Sequence, residues 1–447
     1  MKRKSTETLK TWFKDAKKRP LILRGARQVG KSTLVRIFCQ ERNIDLFEIN
    51  LEKTKIKSFE QENFNIDHCI SEIEFIIGKS ITKNTLIFID EIQIQPNAVS
   101  RLRYFYEEKP DVAVIAAGSL LEIALHQNEI AFPVGRVSYL WLSPMTFTEY
   151  LIAINREDLS KQILAGSVPE FVHEIIQDEI KKYFFIGGMP KAIQTYLDTK
   201  SLIQVRTIQN EILQSYSNDF PKYEKKSNVE KIQKIFETIP FHLGQKLIYQ
   251  HIDRDSRVAP IKKTVDLLIK AHLLVPNYHT NASGVPLKAS VDHSILKIYF
   301  LDIGLVNAAH QLSWDTLENL FNQSFLTKGF LAEQFISQHL AYHTNPLGGP
   351  ETLFWLKDKS LNKAEIDFVI SFENKIIPIE IKAGKGGRLK SFQVFAKEKK
   401  IKKGYKFSSE FFNTEKIKID EKNELQVENW PYYAIEGFIK KFLDQVP

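Results

Sequence analysis

The chain has 447 residues, of which 43% are hydrophobic and 26% are charged, and its formal net charge is +8. This length predicts about two to four domains, and the composition excludes a disordered chain. The two cysteines, Cys39 and Cys69, argue against a disulfide framework and against a four-ligand zinc site.

The sequence contains no pattern typical of secretion or membrane insertion. Residues 1–20 lack the apolar stretch of a signal peptide, and the most apolar run, residues 112–125, is interrupted and too short to span a bilayer. We therefore expect a cytoplasmic protein with no membrane contact. The positive net charge favours a polyanionic partner such as DNA, whereas a basic run such as KEKKIKK (397–403) more often forms a solvated face.

Residues 21–33 read LILRGARQVGKST and have the pattern of a phosphate-binding loop between a strand and a helix. The segment 25–32 fits GxxxxGK[ST] at every fixed position. Backbone amides of such a loop and the N-terminus of the following helix bind phosphates. We expect Lys31 to reach the β- and γ-phosphates of ATP and Ser32 to ligate Mg²⁺. The other residues predicted at the nucleotide are Gly25, Ala26, Arg27, Gln28, Val29, Gly30 and Thr33.

A second strand, TLIFIDEIQ (85–93), supplies the acids that a nucleotide site needs. Its continuous apolar run is typical of a buried parallel strand, and Asp90 and Glu91 follow at the end where α/β sheets bind their ligands. We expect Asp90 to hold Mg²⁺ through water and Glu91 to polarise the attacking water. The alternative is an acidic helix cap after a strand.

Two further stretches complete the pattern, DVAVIAAGS (111–119) and GRVSYLWLSPMTFTEYL (135–151). Together with GARQVGKST and LIFIDEIQ they strongly resemble a prokaryotic AAA-type ATPase family whose C-terminal domain, of unknown function, is often described as nuclease-like. The resemblance implies that Ser119 takes the sensor-1 position, where many AAA proteins have Asn. It also implies that Arg136 reaches the γ-phosphate, within its own subunit or from a neighbour in a homo-oligomer. A surface arginine is the alternative, and Arg27 is a second basic candidate.

The middle of the chain is predicted to be helical from Pro144 to about residue 273. It includes FFIGGMPKAIQTYL (184–197), with a helix start at Pro190, and the resemblance implies a helical lid here. A helix and two strands, 273–278 and 296–302, then look like a winged helix-turn-helix. This helix has two alternative roles: it contacts DNA phosphates, or its role is purely structural. The lysines for such contact are Lys262, Lys263 and Lys270.

Near the C-terminus, AEIDFVI (364–370) and KIIPIEIKAG (375–384) alternate as half-buried strands do. If they form a hairpin that pairs Ile370 with Ile377, Asp367 lies opposite Glu380 and Glu365 lies opposite Lys382. Like charges directly opposite each other are destabilising, so facing carboxylates call for a cation such as Mg²⁺.

This arrangement resembles the PD-(D/E)xK nuclease core, with Asp367, Glu380 and Lys382 matching its signature. The resemblance implies that the acids bind Mg²⁺ or Mn²⁺ and that Lys382 orients or activates water. Glu333 on the preceding helix matches a supplementary acid, and Gln393 is a weaker substrate-contact candidate. The alternatives are a solvated hairpin face with an ordinary Glu365–Lys382 ion pair, or a nuclease fold without activity.

The prediction is a multi-domain α/β protein. Its parts are an AAA-type P-loop core (1–145), a helical lid (146–225), a winged helix-turn-helix domain (226–320) and a restriction-endonuclease-like domain (321–447). We expect Mg²⁺-dependent ATP hydrolysis and action on DNA through the winged helix and the metal-dependent C-terminal domain. The alternative is a nucleotide-dependent switch or remodeller of protein partners, whose C-terminal domain is a non-catalytic binding module.

Overall fold

The computed structural model of the chain describes residues 1–118, 121, 133, 135–222, 226–254, 256–316, 329–343, 349–357, 364–382 and 389–443. These residues form two compact units. The first unit contains Met1–Ser143 with the short pieces Pro221–Lys225 and Lys270–His272, and the second contains Pro144–Phe220, Lys226–Ile269 and Leu273–Pro447. The predicted division of the chain into four parts stays a prediction.

The first unit is built on a five-stranded parallel sheet with the strand order β2-β3-β4-β1-β5. Apolar side chains such as Ile22, Ile87 and Val114 form its core with residues of the surrounding helices. β3 is buried along its whole length, as the continuous apolar run predicted. The elements are α1 Ser5–Lys14, β1 Leu21–Arg24, α2 Lys31–Arg42, β2 Asp45–Asn50, α3 Ile66–Ile77, β3 Thr85–Asp90, α4 Pro96–Glu108, β4 Ala113–Ala117 and β5 Ser138–Trp141.

The second unit begins with a run of helices and has no described strand before residue 274, which confirms the helical prediction for this stretch. One of its helices begins at Pro190, as predicted, after Gly187 adopts a positive φ of 76°. The helices of this run are α5 Phe147–Ala153, α6 Glu157–Ala165, α7 His173–Ile186, α8 Pro190–Thr199, α9 Leu202–Asp219, α10 Lys226–Thr238, α11 Tyr249–Ile252 and α12 Val258–Lys270.

The rest of the second unit contains two mixed sheets, with the strand orders β7-β6-β8-β9 and β10-β11-β12-β14-β13. Short 3-10 helices occur in both units. The elements are β6 Leu274–Thr280, β7 Val291–Phe300, α13 Ile303–Ala309, α14 Gly329–His343, β8 Thr352–Leu356, β9 Glu365–Ile366, β10 Phe368–Phe372, β11 Lys375–Ile381, α15 Lys390–Lys399, β12 Lys403–Ser408, β13 Asn413–Lys418, β14 Glu424–Pro431 and α16 Ile435–Leu443.

The strands predicted for a wing, 273–278 and 296–302, correspond to β6 and β7, which pair antiparallel. β6 also pairs in parallel with β8, so the two strands belong to a larger sheet. The helix that precedes these strands, α12, buries one apolar face, with Ile261, Val265 and Leu268 in the core. The winged-helix assignment itself stays a prediction.

The predicted C-terminal hairpin is present, and its register pairs Ile370 with Ile377, which confirms the pairing predicted from the alternation. Two other expectations were wrong. The stretch 364–370 is not one strand, because the chain bends at Asp367, so β9 and β10 lie in different sheets. β11 is not half-buried either, since its residues from Ile377 onward are buried on both faces.

None of the helices in the described ranges combines the length and the apolar character needed to cross a membrane.

Candidate functional site

The loop between β1 and α2 has the backbone conformation that its glycines predict. Gly25 and Gly30 have φ values of +133° and +95°, in the region that favours glycine. At Gly25 a Cβ atom would lie 2.2 Å from the carbonyl oxygen of Leu142, so no larger residue fits. The ammonium group of Lys31 donates hydrogen bonds of 2.9 Å to the carbonyl oxygens of Gly25 and Ala26. Lys31 therefore lies over the loop that the motif assigns to the phosphates.

Ser32 and Asp90 are in direct contact, although 58 positions separate them in the sequence. The Ser32 hydroxyl donates to Oδ2 of Asp90 over 2.8 Å, and the backbone N–H of Glu91 donates to Oδ1 over 3.0 Å. Asp90 is buried at the end of β3. A hydroxyl and a carboxylate are oxygen ligands that suit Mg²⁺, so the two predicted magnesium ligands lie together.

Glu91 is held by a residue that the sequence analysis missed. Glu91 has a φ of +54°, which costs a residue other than glycine about 1 kcal/mol or more. The amide nitrogen of Gln93 donates to Oε2 of Glu91 over 2.5 Å. Oε1 of Gln93 is buried and has no hydrogen-bond partner among the described residues. The spacing Glu-x-Gln after a buried strand was the signal that could have identified Gln93.

The other predicted nucleotide contacts are less well supported by the geometry. Arg136 donates to Glu107 over 2.6 Å, and both side chains are partly exposed. This ion pair is the surface role considered as the alternative. Ser119 lies outside the described residues. Gln28 adopts a positive φ of 66°, and Thr33 at the start of α2 is exposed.

A second cluster of charged residues lies within the second unit. Its central group is the ammonium of Lys297, on β7, which is 2% exposed. This ammonium forms an ion pair with Glu365 and lies 3.8 Å from a carboxylate oxygen of Glu333 and 3.9 Å from one of Asp367. Tyr299, also on β7, donates to Glu333 over 2.8 Å. Lys297 was not predicted, because its partners are distant in sequence.

The ExK residues form the other side of this cluster, which we call the acidic cluster: Lys297, Glu333, Glu365, Asp367, Glu380 and Lys382. Lys382 donates to Oε1 of Glu380 over 2.6 Å, and the backbone N–H of Ile381 donates to Oδ2 of Asp367 over 2.8 Å. Oε2 of the buried Glu380 has no hydrogen-bond partner within the described ranges.

The predicted position of Glu365 opposite Lys382 was wrong, and the alternative of an ordinary ion pair between these two described residues is not found either. Because the chain bends at Asp367, Glu365 belongs to β9 and stands opposite Leu356 of β8. Its carboxylate consequently pairs with Lys297. Gln393, the weaker candidate, donates to the carbonyl of Lys418 over 2.9 Å at the surface.

Burial controls the ionisation of the acidic cluster. It raises the pKa of Glu333 to about 7 and that of Glu380 to about 8, although Lys297 and Lys382 act in the opposite direction. Burial alone would lower the pKa of Lys297, but the surrounding carboxylates outweigh it and raise that pKa. The cluster therefore stabilises its two ammonium groups and disfavours full ionisation of its carboxyl groups.

The acidic cluster fits a divalent cation in charge and only partly in geometry. Four carboxylates against two ammonium groups leave two negative charges if all ionise, and one Mg²⁺ would neutralise them. Mg²⁺ commonly binds to one or two carboxylates and water, and Asp367 with the unpartnered oxygen of Glu380 offers such a pair. In the described part of the chain, no three His, Cys, Asp or Glu side chains converge to hold a metal ion. Glu333 therefore does not join Asp367 and Glu380 as a third metal ligand.

Comparison with known proteins agrees with the geometry of the loop. Residues 17–151 match the AAA domain family. These residues therefore form an AAA domain that contains the P-loop motif at 25–32. Residues 177–316 and 328–430 match two domains of unknown function, DUF8612 and DUF4143. No curated protein matches the chain.

Solved structures with similarity to this chain include the Walker-type ATPase PABY2304 of Pyrococcus abyssi. It is 13% identical with a TM-score of 0.44, over 69% of this chain and 95% of that one. A single-residue variant of Thermotoga maritima RuvB is 15% identical with a TM-score of 0.29, over 60% and 87%. The T. maritima RuvB Holliday junction branch migration motor is 16% identical with a TM-score of 0.29, over 62% and 89%. At these TM-scores the likeness carries no conclusion.

Proposed function

We propose that the chain hydrolyses ATP in a Mg²⁺-dependent reaction at the loop between β1 and α2. The observation that carries the proposal is the 2.8 Å hydrogen bond between Ser32 and Asp90, next to Lys31 over the loop. Ser32 and Asp90 would hold Mg²⁺, which neutralises phosphate charge when bound. Lys31 binds the β- and γ-phosphates, and Glu91 orients the attacking water.

Glu91 and Lys31 carry separable parts of this proposal. Glu91→Gln keeps the side-chain volume and removes the charge, so it should bind ATP and lower kcat by about a hundredfold or more. Glu48→Gln is the matched control, because Glu48 lies on the neighbouring strand β2 and pairs with Arg36 at the surface. ATP binding by equilibrium dialysis and phosphate release are measured on the same preparations. ATP turnover by Glu91→Gln at the wild-type rate would show that Glu91 does not orient the attacking water.

A role for Arg136 at the nucleotide of a neighbouring copy is part of the proposal. The Arg136–Glu107 pair is exposed, so a neighbouring copy could exchange it for phosphate contact. Arg136→Ala should then lower turnover only under conditions in which the protein self-associates, as judged by analytical ultracentrifugation.

We propose further that ATP hydrolysis drives action on DNA, through a metal-dependent site in the C-terminal domain. The excess of four carboxyl groups over two ammonium groups in the acidic cluster and the unpartnered Oε2 of Glu380 support it. Asp367 and Glu380 would hold the divalent cation, which stabilises charge on phosphate when bound. Lys382 would orient the water. The net charge of +8 and the exposed lysines of α12 support contact with DNA.

One observation favours a second candidate, a nucleotide-dependent switch with a non-catalytic C-terminal domain. Lys297 already supplies a buried positive charge within 4 Å of three carboxylates. Because the ammonium group of Lys297 already compensates part of the carboxylate charge, the cluster has less need of a metal ion for this purpose. In this candidate the partner is a protein and the C-terminal domain is a binding module.

A cleavage assay separates the two candidates. Wild type and Asp367→Asn are incubated with linear, branched and supercoiled DNA in the presence of Mg²⁺ or Mn²⁺. Asp178→Asn is the control, because Asp178 is an exposed acid in the same unit. Cleavage by wild type and by the control, but not by Asp367→Asn, is the expected result. Intact DNA in every reaction would favour the protein switch.

A further inference from the structure

The segment 242–251 lies directly beside the acidic cluster and belongs to none of the predicted sites. It runs antiparallel along β7: the N–H of Gly244 donates to Ile298 over 3.2 Å and that of Leu247 to Leu296 over 2.8 Å. Lys246 and Lys297 form a bridge pair between the two. The segment therefore follows the same strand that delivers Lys297 to the carboxylates.

Gly244 shows how close this segment comes to the carboxylates. A Cβ atom on Gly244 would lie 3.0 Å from Oε2 of Glu333. Its φ of +71° is also a conformation that favours glycine. The backbone of the segment at Gly244 thus lies next to the carboxylate of Glu333, the acid that helix α14 contributes to the cluster.

A polar cavity of about 520 Å³ lies between the segment and the cluster. Lys297 and Glu365 of the acidic cluster line this cavity. The segment contributes the hydrogen-bond donors His242, Lys246 and His251 to the same lining. A cavity of this size can hold a nucleotide-sized group.

The charges of this cavity suit an anion. Glu365, the acid among its lining residues, is already paired with Lys297. Lys246 is cationic, and each imidazole donates an N–H even when neutral. Burial, with the nearby His251, lowers the pKa of His242, so His242 acts mainly as a neutral donor. Hydrogen-bond donors suit a phosphate group, and the neighbouring carboxylates suit a divalent cation, so the two together suit a phosphodiester beside a metal-binding acid pair.

We propose that His242, Lys246 and His251 form a subsite for a phosphate of the DNA backbone, next to the acidic cluster. This inference rests on the proposed action on DNA. It assigns the contact to the segment 242–251, whereas the winged-helix prediction assigned DNA contact to the lysines of α12. The subsite positions a phosphate and reads no base, so it binds DNA of any sequence.

Binding of a fluorescent 20-base-pair duplex tests the subsite, with Ca²⁺ replacing Mg²⁺ so that binding is measured apart from cleavage. The variants are Lys246→Gln, His251→Gln and the double change. Lys262→Gln tests the helix α12, and Lys161→Gln is the control, because Lys161 is an exposed lysine of the same unit. Urea unfolding with a spectroscopic readout of the second unit reports that each variant is folded, since all the substituted residues lie in that unit.

The double variant should bind about tenfold or more weakly, because hydrogen bonds to a charged phosphate are lost. The slope of log affinity against log salt should fall by about one, equally for two unrelated sequences. Lys161→Gln should bind as wild type does. Wild-type affinity of the double variant, together with weaker binding by Lys262→Gln, would overturn the subsite and leave the action on DNA standing. If wild type does not bind DNA at all, both proposals fall.

Discussion

Replacing Lys297 by methionine removes the positive charge at the centre of the acidic cluster. Methionine has a similar length to lysine and fills the space that the Lys297 side chain occupies, so a loss of packing contributes little to the effect. The ammonium group that is lost pairs with Glu365 and lies within 4 Å of Glu333 and Asp367. Breaking a buried ion pair by removing one partner costs about 3–5 kcal/mol, since the remaining charge is left buried and unpaired.

Urea unfolding with a spectroscopic readout of the second unit measures this cost. Lys297→Met should lower the free energy of unfolding by about 3–5 kcal/mol. The double variant Lys297→Met/Glu365→Gln should be less destabilised than the sum of the single changes by about 1–3 kcal/mol, because the unpaired carboxylate is absent. Lys161→Met, at an exposed ion pair, should change stability by less than about 0.5 kcal/mol.

The reasoning would be refuted by additive single changes, or by a loss for Lys297→Met no larger than that of the surface control. Either result would mean that Lys297 is not the counter-ion of the carboxylates.

Three further changes follow from particular contacts. Gln93→Ala should lower kcat for ATP by about tenfold to a hundredfold with KM unchanged, because the amide that orients Glu91 is removed; steady-state kinetics measures this. Glu373→Asn should raise the free energy of unfolding by about 0.5 kcal/mol and with it the melting temperature. The reason is that Glu373 has a φ of +43° in a two-residue turn where Asn is favoured. Burial raises the pKa of Asp302 to about 6 from 3.8. The folded state therefore holds this proton to a higher pH than the unfolded state, and Asp302 should cost about 3 kcal/mol of stability as pH rises from 4 to above 6. Urea unfolding of wild type and Asp302→Asn across this range measures the difference.

Each of these has a contrary outcome. A Gln93→Ala enzyme with unchanged kcat would show that Glu91 needs no orienting donor. A lower melting temperature for Glu373→Asn would contradict the strain assigned to the turn. A stability difference between wild type and Asp302→Asn that is constant with pH would contradict the raised pKa.

The nucleotide loop could be predicted in detail because its information is local. Gly25, Gly30 and Lys31 act through backbone conformation and sequence spacing, and one short stretch of the sequence is enough to predict both properties. The register of the C-terminal hairpin was also predictable, since the two-residue alternation permits few pairings of Ile370 with its partners. In both cases the residues that determine the structure are close in the chain.

The acidic cluster could not be predicted in full because its contacts are long-range. Lys297 meets Glu365 across 68 positions, and a lysine between apolar residues of a strand gives no sign of its partner. The bend at Asp367 has a similar origin. The Asp367 carboxylate accepts the N–H of Ile381, so a side chain replaces a backbone acceptor where the strand was expected to continue.

Phosphate release by Lys31→Ala is the most direct test of the central claim, that the loop between β1 and α2 hydrolyses ATP. Wild type and the control Lys10→Ala, at a partly exposed lysine of the same unit that pairs with Glu7, should release phosphate from ATP only with Mg²⁺ present. Lys31→Ala should fall to background, because the ammonium group over the loop is lost. Phosphate release by Lys31→Ala at the wild-type rate would contradict the claim.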